Sequence, residues 1–371
     1  MNLTTTAKSF IELAGWHSKS KIIVFVSDDW GTIRNFSKDT RLNLIKHGFD
    51  MEANRFDRYD MLESNTDLER LFDLLLSVKN GNDEHPVITA ALNVANPDFD
   101  KIRASGFQNY FYESIDQTYS RSETTNKVLE LYNQGIKEKI FHPEFHGREH
   151  LNAGEWVRAL KLGREREMLG FQNFYWFMKS SDNDRKSYGA AFDLNSGEDI
   201  LSQQQILHDG VGVFKRLFGY SPLYFTPPEG IYNSKLEKEI SSTEIKLIDV
   251  PLLQRMPLGN NKYRYKVHYS GQHSSRGIRY IVRNVVFEPN LYGKDSAVDV
   301  CLAGVDKCFR RNIPVIISNH RAAFVGGIKH SNHNDGLFAL KKLLDTIVDK
   351  WPDVYFLSMS DLYNSFTTKE I

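Results

Sequence analysis

Residues 21–31 read KIIVFVSDDWG. The apolar, largely β-branched run from Ile22 to Val26 stops abruptly at two carboxylates and a glycine, which is how a buried parallel strand ends. Working outward, the same grammar repeats. PVITAALNV (86–94) reads as a second buried strand, and IFHPEFH (140–146) begins as a third. LYFTPP (223–228), IKLIDVP (245–251), IPVIISNH (313–320) and VYFLS (354–358) follow. Helical spacing of apolar residues falls between them, over 66–78, 122–135, 202–218, 295–310 and 335–350. Short buried strands alternating with helices predict an α/β fold with a parallel sheet, open or closed into a barrel. YRYKVHYS and GIRYIVRNVVF, around a turn-rich GQHSSR, predict an inserted β-hairpin near 263–286.

Polar side chains close several of these strands: Asp28 and Asp29, His142, Thr226, Asp249 and His320. In parallel α/β folds functional groups gather at the carboxyl ends of strands, so these residues predict one shared mouth. Adjacent carboxylates repel unless a cation or proton lies between them; the plainer reading of Asp28-Asp29 is a turn and a helix cap. In FHPEFHGREH (141–150) three histidines recur at a spacing of four. On a helical turn, positions i and i+4 face the same way and two imidazoles can hold one metal; the alternative is a polar loop. His150 is either a group supporting a ligand or a residue on an exposed helix. FTPPEG (225–230) alone is a rigid turn, and a lone histidine such as His320 is more often structural. The aromatic run FQNFYWF (171–177) suits a core more than a sugar platform. His268 and His273 lie in the expected hairpin and face solvent, whereas His330 and His333 in GGIKHSNHND line the mouth.

The order of the four motifs resembles the polysaccharide deacetylase family (carbohydrate esterase family 4, the NodB-homology domain) from about Lys21 to Leu362. That resemblance implies a distorted (β/α)7 barrel. It implies Asp29, His142 and His146 as metal ligands, Asp28 as general base and His320 as general acid. It also implies an oxyanion-holding backbone N–H at Glu229. Trp30, Thr226, Pro228, Glu229, Arg148 and Arg321, which stand in or beside the motifs, are the expected substrate-binding set. The implied cofactor is one divalent ion, with zinc expected and cobalt, nickel, manganese or iron as alternatives. The chain departs from the family at Thr226, where an arginine that orients the catalytic aspartate is usual; Arg148 or Arg321 is the expected replacement. Asp249 either holds His320 charged or closes a turn.

The chain has 371 residues, with 47 Lys+Arg against 47 Asp+Glu. Zero net charge argues against a nucleic-acid partner held by a broad basic surface, and no apolar run approaches a membrane span. Two cysteines, Cys301 and Cys308, are too few for a disulfide framework. The start has no secretory pattern, so the expected address is the cytoplasm. The domain expectation is one barrel over 1–371, with insertions at about 32–85 and 255–290. The expected activity is metal-dependent hydrolysis of a C–N amide bond in an N-acetylated sugar or glycoconjugate. The rival is a metal- and carbohydrate-binding protein on the same fold without turnover. A glycosidase would require a second, nucleophilic carboxylate.

Overall fold

Alternation along Ile22–Trp30 (β1) sets the architecture. In the computed structural model, which describes residues 10–181 and 183–368, the two faces of β1 enter different cores. Ile23 and Phe25 pack outward with helix residues such as Leu68, Leu71, Phe72 and Leu75. Ile22, Val24 and Val26 pack inward with Tyr224, Leu247, Ile281 and Ile316. Met359 and Leu362, from the closing helix Met359–Thr368, complete this inner cluster. Each such buried side chain contributes roughly 1.5–3 kcal/mol. A strand buried on both faces reads as the continuous apolar run from which the sequence argument began.

The remaining sheet strands are Ile88–Leu92 (β2), Phe141–Phe145 (β3), Tyr224–Phe225 (β4), Leu247–Asp249 (β5), Arg279–Ile281 (β6), Val285–Val286 (β7), Val315–His320 (β8) and Tyr355–Phe356 (β9). Eight run in the order β6-β5-β4-β3-β2-β1-β8-β7, and β9 pairs with the start of β1. Every pairing is parallel. The two edges, β6 and β7, are consecutive in sequence and separated only by Val282, Arg283 and Asn284. Three residues reach about 10 Å at most, so the sheet curls until its edges approach across them. The Asn284 side chain holds this seam, accepting from the Ile316 N–H and donating to the Pro314 carbonyl. The chain thus has the expected distorted (β/α) barrel, with helices on the outside.

The helices begin where caps allow. Asn65–Leu76 starts at a capping box of Ser64 and Asp67. The helix expected over 122–135 is Val128–Lys137, because the preceding Ser/Thr-rich stretch forms turns, with the Thr125 hydroxyl donating to the Tyr119 carbonyl. The hairpin lies earlier than its expected limits: Leu253–Gly259 pairs antiparallel with Lys262–Val267. Asn260 and Asn261, at φ 52 and 57, make its turn. The YIV and VV runs beyond it are barrel strands β6 and β7, and His268 is buried between Gln254 and Gln272 rather than facing solvent. Among the described residues no helix is long and apolar enough to cross a membrane.

Candidate active site

Inner-face parity selects the residues at the barrel mouth. Continuing Val24 and Val26 gives Asp28, continuing Tyr224 gives Thr226, and continuing Leu247 gives Asp249. Ile281 leads to Arg283, and Ile316 to Ser318 and His320. Asp28 and His320 are register partners. All six of these residues line one cavity of about 450 Å³, together with Asp29, Arg34, Phe56, His146, His150 and Glu229.

Asp29 breaks the parity. Neighbours on a regular strand face opposite ways, yet the β1–β2 register shifts between Ser27 and Trp30, and Asp29 adopts φ 74. This left-handed residue turns the second carboxylate into the mouth beside the first. Gly31 (φ 80) permits the turn, because a Cβ there would lie 2.3 Å from the Asn93 carbonyl oxygen. Asn93 in turn donates to the His146 carbonyl and accepts from the Thr32 hydroxyl.

Asp29, His146 and His150 bring potential ligand atoms within 4.8 Å of one another. Asp29 Oδ1 lies 3.3 Å from Nε2 of each histidine. His146 Nδ1 donates to the Thr226 carbonyl at 2.7 Å, which directs its Nε2 toward Asp29. That Nε2 is buried without a hydrogen bond, as is His150 Nδ1. Burial opposes charge on Asp29, but the two histidines hold its carboxyl well below the ordinary value. A buried carboxylate and two imidazoles with bare nitrogens are a donor set that fits a divalent cation.

His142 stands elsewhere, correcting the expected ligand pair. FHPEF is a strand, not a helical turn. At about 3.3 Å per residue, His146 is about 13 Å along the barrel from His142. His142 instead lies 3.4 Å from Glu144 and borders a separate cavity with Ser358 and Asp361. The spacing of four is met by the other pair, His146 and His150, and His150 is buried rather than exposed.

Arg283 stands beside Asp28. It donates to both Asp28 oxygens, at 2.6 and 2.8 Å, and reaches Asp249 at 2.6 Å. Burial opposes the Asp28 charge, but Arg283 outweighs it and keeps the carboxyl below its ordinary value. Burial prevails at Asp249 and raises its carboxyl despite Arg283. Neither expected replacement for the family arginine lies at the mouth. Arg321 is fully buried against Asp60 and Glu63, and Arg148 pairs with Glu149 and Asp209. Both occupy the positions of structural cations.

His320 receives its partner from Glu288, at 2.5 Å from Nδ1, and not from Asp249. Arg55 donates to the same Glu288 oxygen, and Phe56 packs edge-on against the ring. Burial works against the charged imidazole, but Glu288 prevails and raises its pKa above the ordinary value. His320 Nε2 lies 3.8 Å from Asp28 Oδ2.

The expected substrate-binding residues divide. Thr226 and Glu229 line the cavity. Trp30 is core, edge-on to Phe141, because it follows the bulge and points outward. Pro228 is buried in the turn behind the lining residue Pro227. The aromatic run is mainly core, as expected: Phe171, Tyr175 and Trp176 pack in a satellite cluster. Phe177 lies under the Arg34 guanidinium at 3.6 Å. Arg34, Arg283 and Glu288 were missed. Arg283 was findable by parity, two residues beyond an inward isoleucine; Arg34 and Glu288 carry no such signal.

No protein-family model and no curated protein sequence matches the chain. Solved structures do. A probable polysaccharide deacetylase from Pseudomonas aeruginosa PAO1 aligns with a TM-score of 0.51 and 9% identity, over 95% of this chain and 93% of that one. The chain shares the (β/α) barrel fold of that protein. A 4-alpha-glucanotransferase from Thermococcus litoralis aligns with a TM-score of 0.50 and 9% identity, over 94% of this chain. The chain spans only 41% of the glucanotransferase's length. At these identities the likeness is one of fold.

Proposed function

We propose that the chain is a metal-dependent hydrolase that cleaves the C–N amide bond of an N-acetylated sugar or glycoconjugate. The observation that carries this reading is the presence of Asp28 and His320 in the same cavity as the Asp29–His146–His150 cluster. A metal site alone needs neither residue. Amide hydrolysis needs both, one to take a proton from water and one to return a proton to the leaving nitrogen.

Asp29, His146 and His150 are the residues that would hold the ion. Bound there, it supplies Lewis acidity, which polarises a carbonyl and acidifies water. Asp28 is oriented by the two-pronged contact from Arg283, which also keeps it ionised and able to accept the water's proton. His320, kept protonated by Glu288, donates its proton to the nitrogen as the C–N bond breaks. The products are acetate and a free amine. Glu229, with φ 55, lines the mouth, and in this reading its backbone N–H takes the oxyanion-holding part that the family resemblance implies. Thr226 supports the non-hydrolytic alternative only while the aspartate lacks an arginine, and Arg283 supplies one from the seam.

The test is Asp28→Asn. It should keep the metal by elemental analysis and lower acetate release from N-acetylglucosamine oligomers by roughly 10²–10⁴-fold. Near-normal turnover would remove Asp28 as the base. Absence of turnover in the metal-loaded parent across N-acetyl sugars and glycoconjugates would favour the binding protein.

A further inference from the structure

His330 and His333 are not at the catalytic mouth. They line a separate cavity of about 550 Å³, which shares no lining residue with the first. Its apolar wall is Ile33, Phe36, Met61 and Leu62. Phe36 is 43% exposed although its other face stacks on Phe174 at 4.3 Å. Gly327 packs directly beside this wall, where a Cβ would meet Met61 Sδ at 2.8 Å.

Among the described residues, three side chains that line this cavity and are not exposed keep a polar atom without a partner: Asn35 at Oδ1, His333 at Nε2 and Arg70 at its guanidinium. His333 is 1% exposed, and its Nδ1 donates to Asp67 at 2.7 Å. A carboxylate only accepts, so this bond fixes the ring, and its buried Nε2 has no hydrogen bond. Asp67 is itself satisfied, accepting also from the Gly326 N–H and from Ser64. Arg70 is half-buried and, among the described residues, has neither an ion pair nor a hydrogen bond. By contrast, Arg121 at the rim is neutralised by Glu113. A buried imidazole nitrogen without a partner costs stability unless a ligand meets it. An apolar cavity of this size with a few convergent polar groups is the usual form of a small-molecule site.

We propose that this cavity is a second ligand site, for a small organic monocarboxylate with an aromatic or aliphatic body. The carboxylate meets Arg70, a hydrogen-bonding substituent meets His333 Nε2, and the body lies against Ile33, Phe36, Met61 and Leu62. One unpaired cation suits one negative charge, and Asp67 and Glu113 in the wall oppose a dianion. Ile33 and Asn35 face this cavity while Arg34 between them faces the catalytic one. A bound ligand therefore touches the segment that carries Arg34.

The probe is 2-naphthoate, titrated calorimetrically against the full chain. Saturable binding at one site with Kd below about 1 mM is expected. Arg70→Ala should weaken it by about tenfold or more, and Arg70→Lys should recover part of the loss. Thr66→Trp, at an exposed lining position, should weaken it by obstruction. Asp29→Ala should bind as the parent does, so failure of the proposed hydrolysis leaves this result untouched. Thermal melting confirms that each variant is folded. No saturable binding by the parent, equal affinity after Arg70→Ala, or binding lost with Asp29→Ala instead would overturn the proposal.

Discussion

The two ends of β3 carry the same side chain in different surroundings. His142 stands near the start of the strand and pairs with Glu144, whose carboxylate also accepts from the N–H groups of Leu223 and Tyr224. His146 stands just past the end, buried, with Nδ1 on a carbonyl and Nε2 toward Asp29. Both continue the same inner face. Position along the strand, not residue type or face, separates a structural imidazole from a ligand, because the mouth of a parallel barrel forms only at its carboxyl ends.

The largest effect that can break this comparison is loss of metal. His146→Ala or His150→Ala should reduce bound divalent ion from about one per chain to near none by elemental analysis. His142→Ala should leave the content unchanged. A metal-free His142→Ala variant, or a fully loaded His150→Ala variant, would return the ligand role to the lower end of the strand.

A second pair sharpens the same point among the arginines. Arg321 is bound by Asp60 and Glu63 with no exposure, and burial pushes Asp60 up to about 6 despite that cation. Arg283 is bound by Asp28 and Asp249 at the mouth. Removing either strands buried carboxylates, at a cost of about 3–5 kcal/mol. Only Arg283 touches the proposed base. Arg283→Ala should lower kcat by roughly 10²-fold with little change in KM, and Arg283→Lys should restore part of it. Arg321→Ala should lower the melting temperature and leave kcat per folded molecule near normal. Equal kinetic losses would mean that Arg283 also acts through the fold.

Much of the barrel was legible because a strand buried on both faces leaves an unbroken apolar run, and Ile22–Val26 and Val315–Ile317 are such runs. Asp28, Asp29 and His320 were legible because they follow those runs closely, and His146 because three histidines recur at a spacing of four in 142–150. The ligand position of His150 was not legible because a spacing of four suits a helix, whereas Pro143 sits within a strand and the return to the site is made by the loop after it. Glu288 and Arg34 were not legible: each reaches the mouth through tertiary packing, with no periodicity to mark it. The seam at 282–284 was obscured because β6 and β7 are only three and two residues long, too short to show a period.

The smallest expected effect concerns the two carboxylates beside His320. Glu288 contacts Nδ1 at 2.5 Å, Asp28 lies 3.8 Å from Nε2, and Arg55 is the cation that faces the ring from the same side as Glu288. Burial favours neutral His320; Glu288, then Asp29 and Asp28, outweigh it and raise the pKa. A general acid must be protonated, so hydrolysis should fall as pH rises through that raised value. Glu288→Gln removes the leading favourable contribution and should move the alkaline limb of kcat against pH to lower pH, while metal content stays unchanged. Asp249→Asn, which touches Arg283 and not His320, should leave that limb in place. An alkaline limb unmoved by Glu288→Gln would show that Asp28 and Asp29 alone hold the proton on His320, and Glu288 would then be a partner for Arg55 more than for the acid.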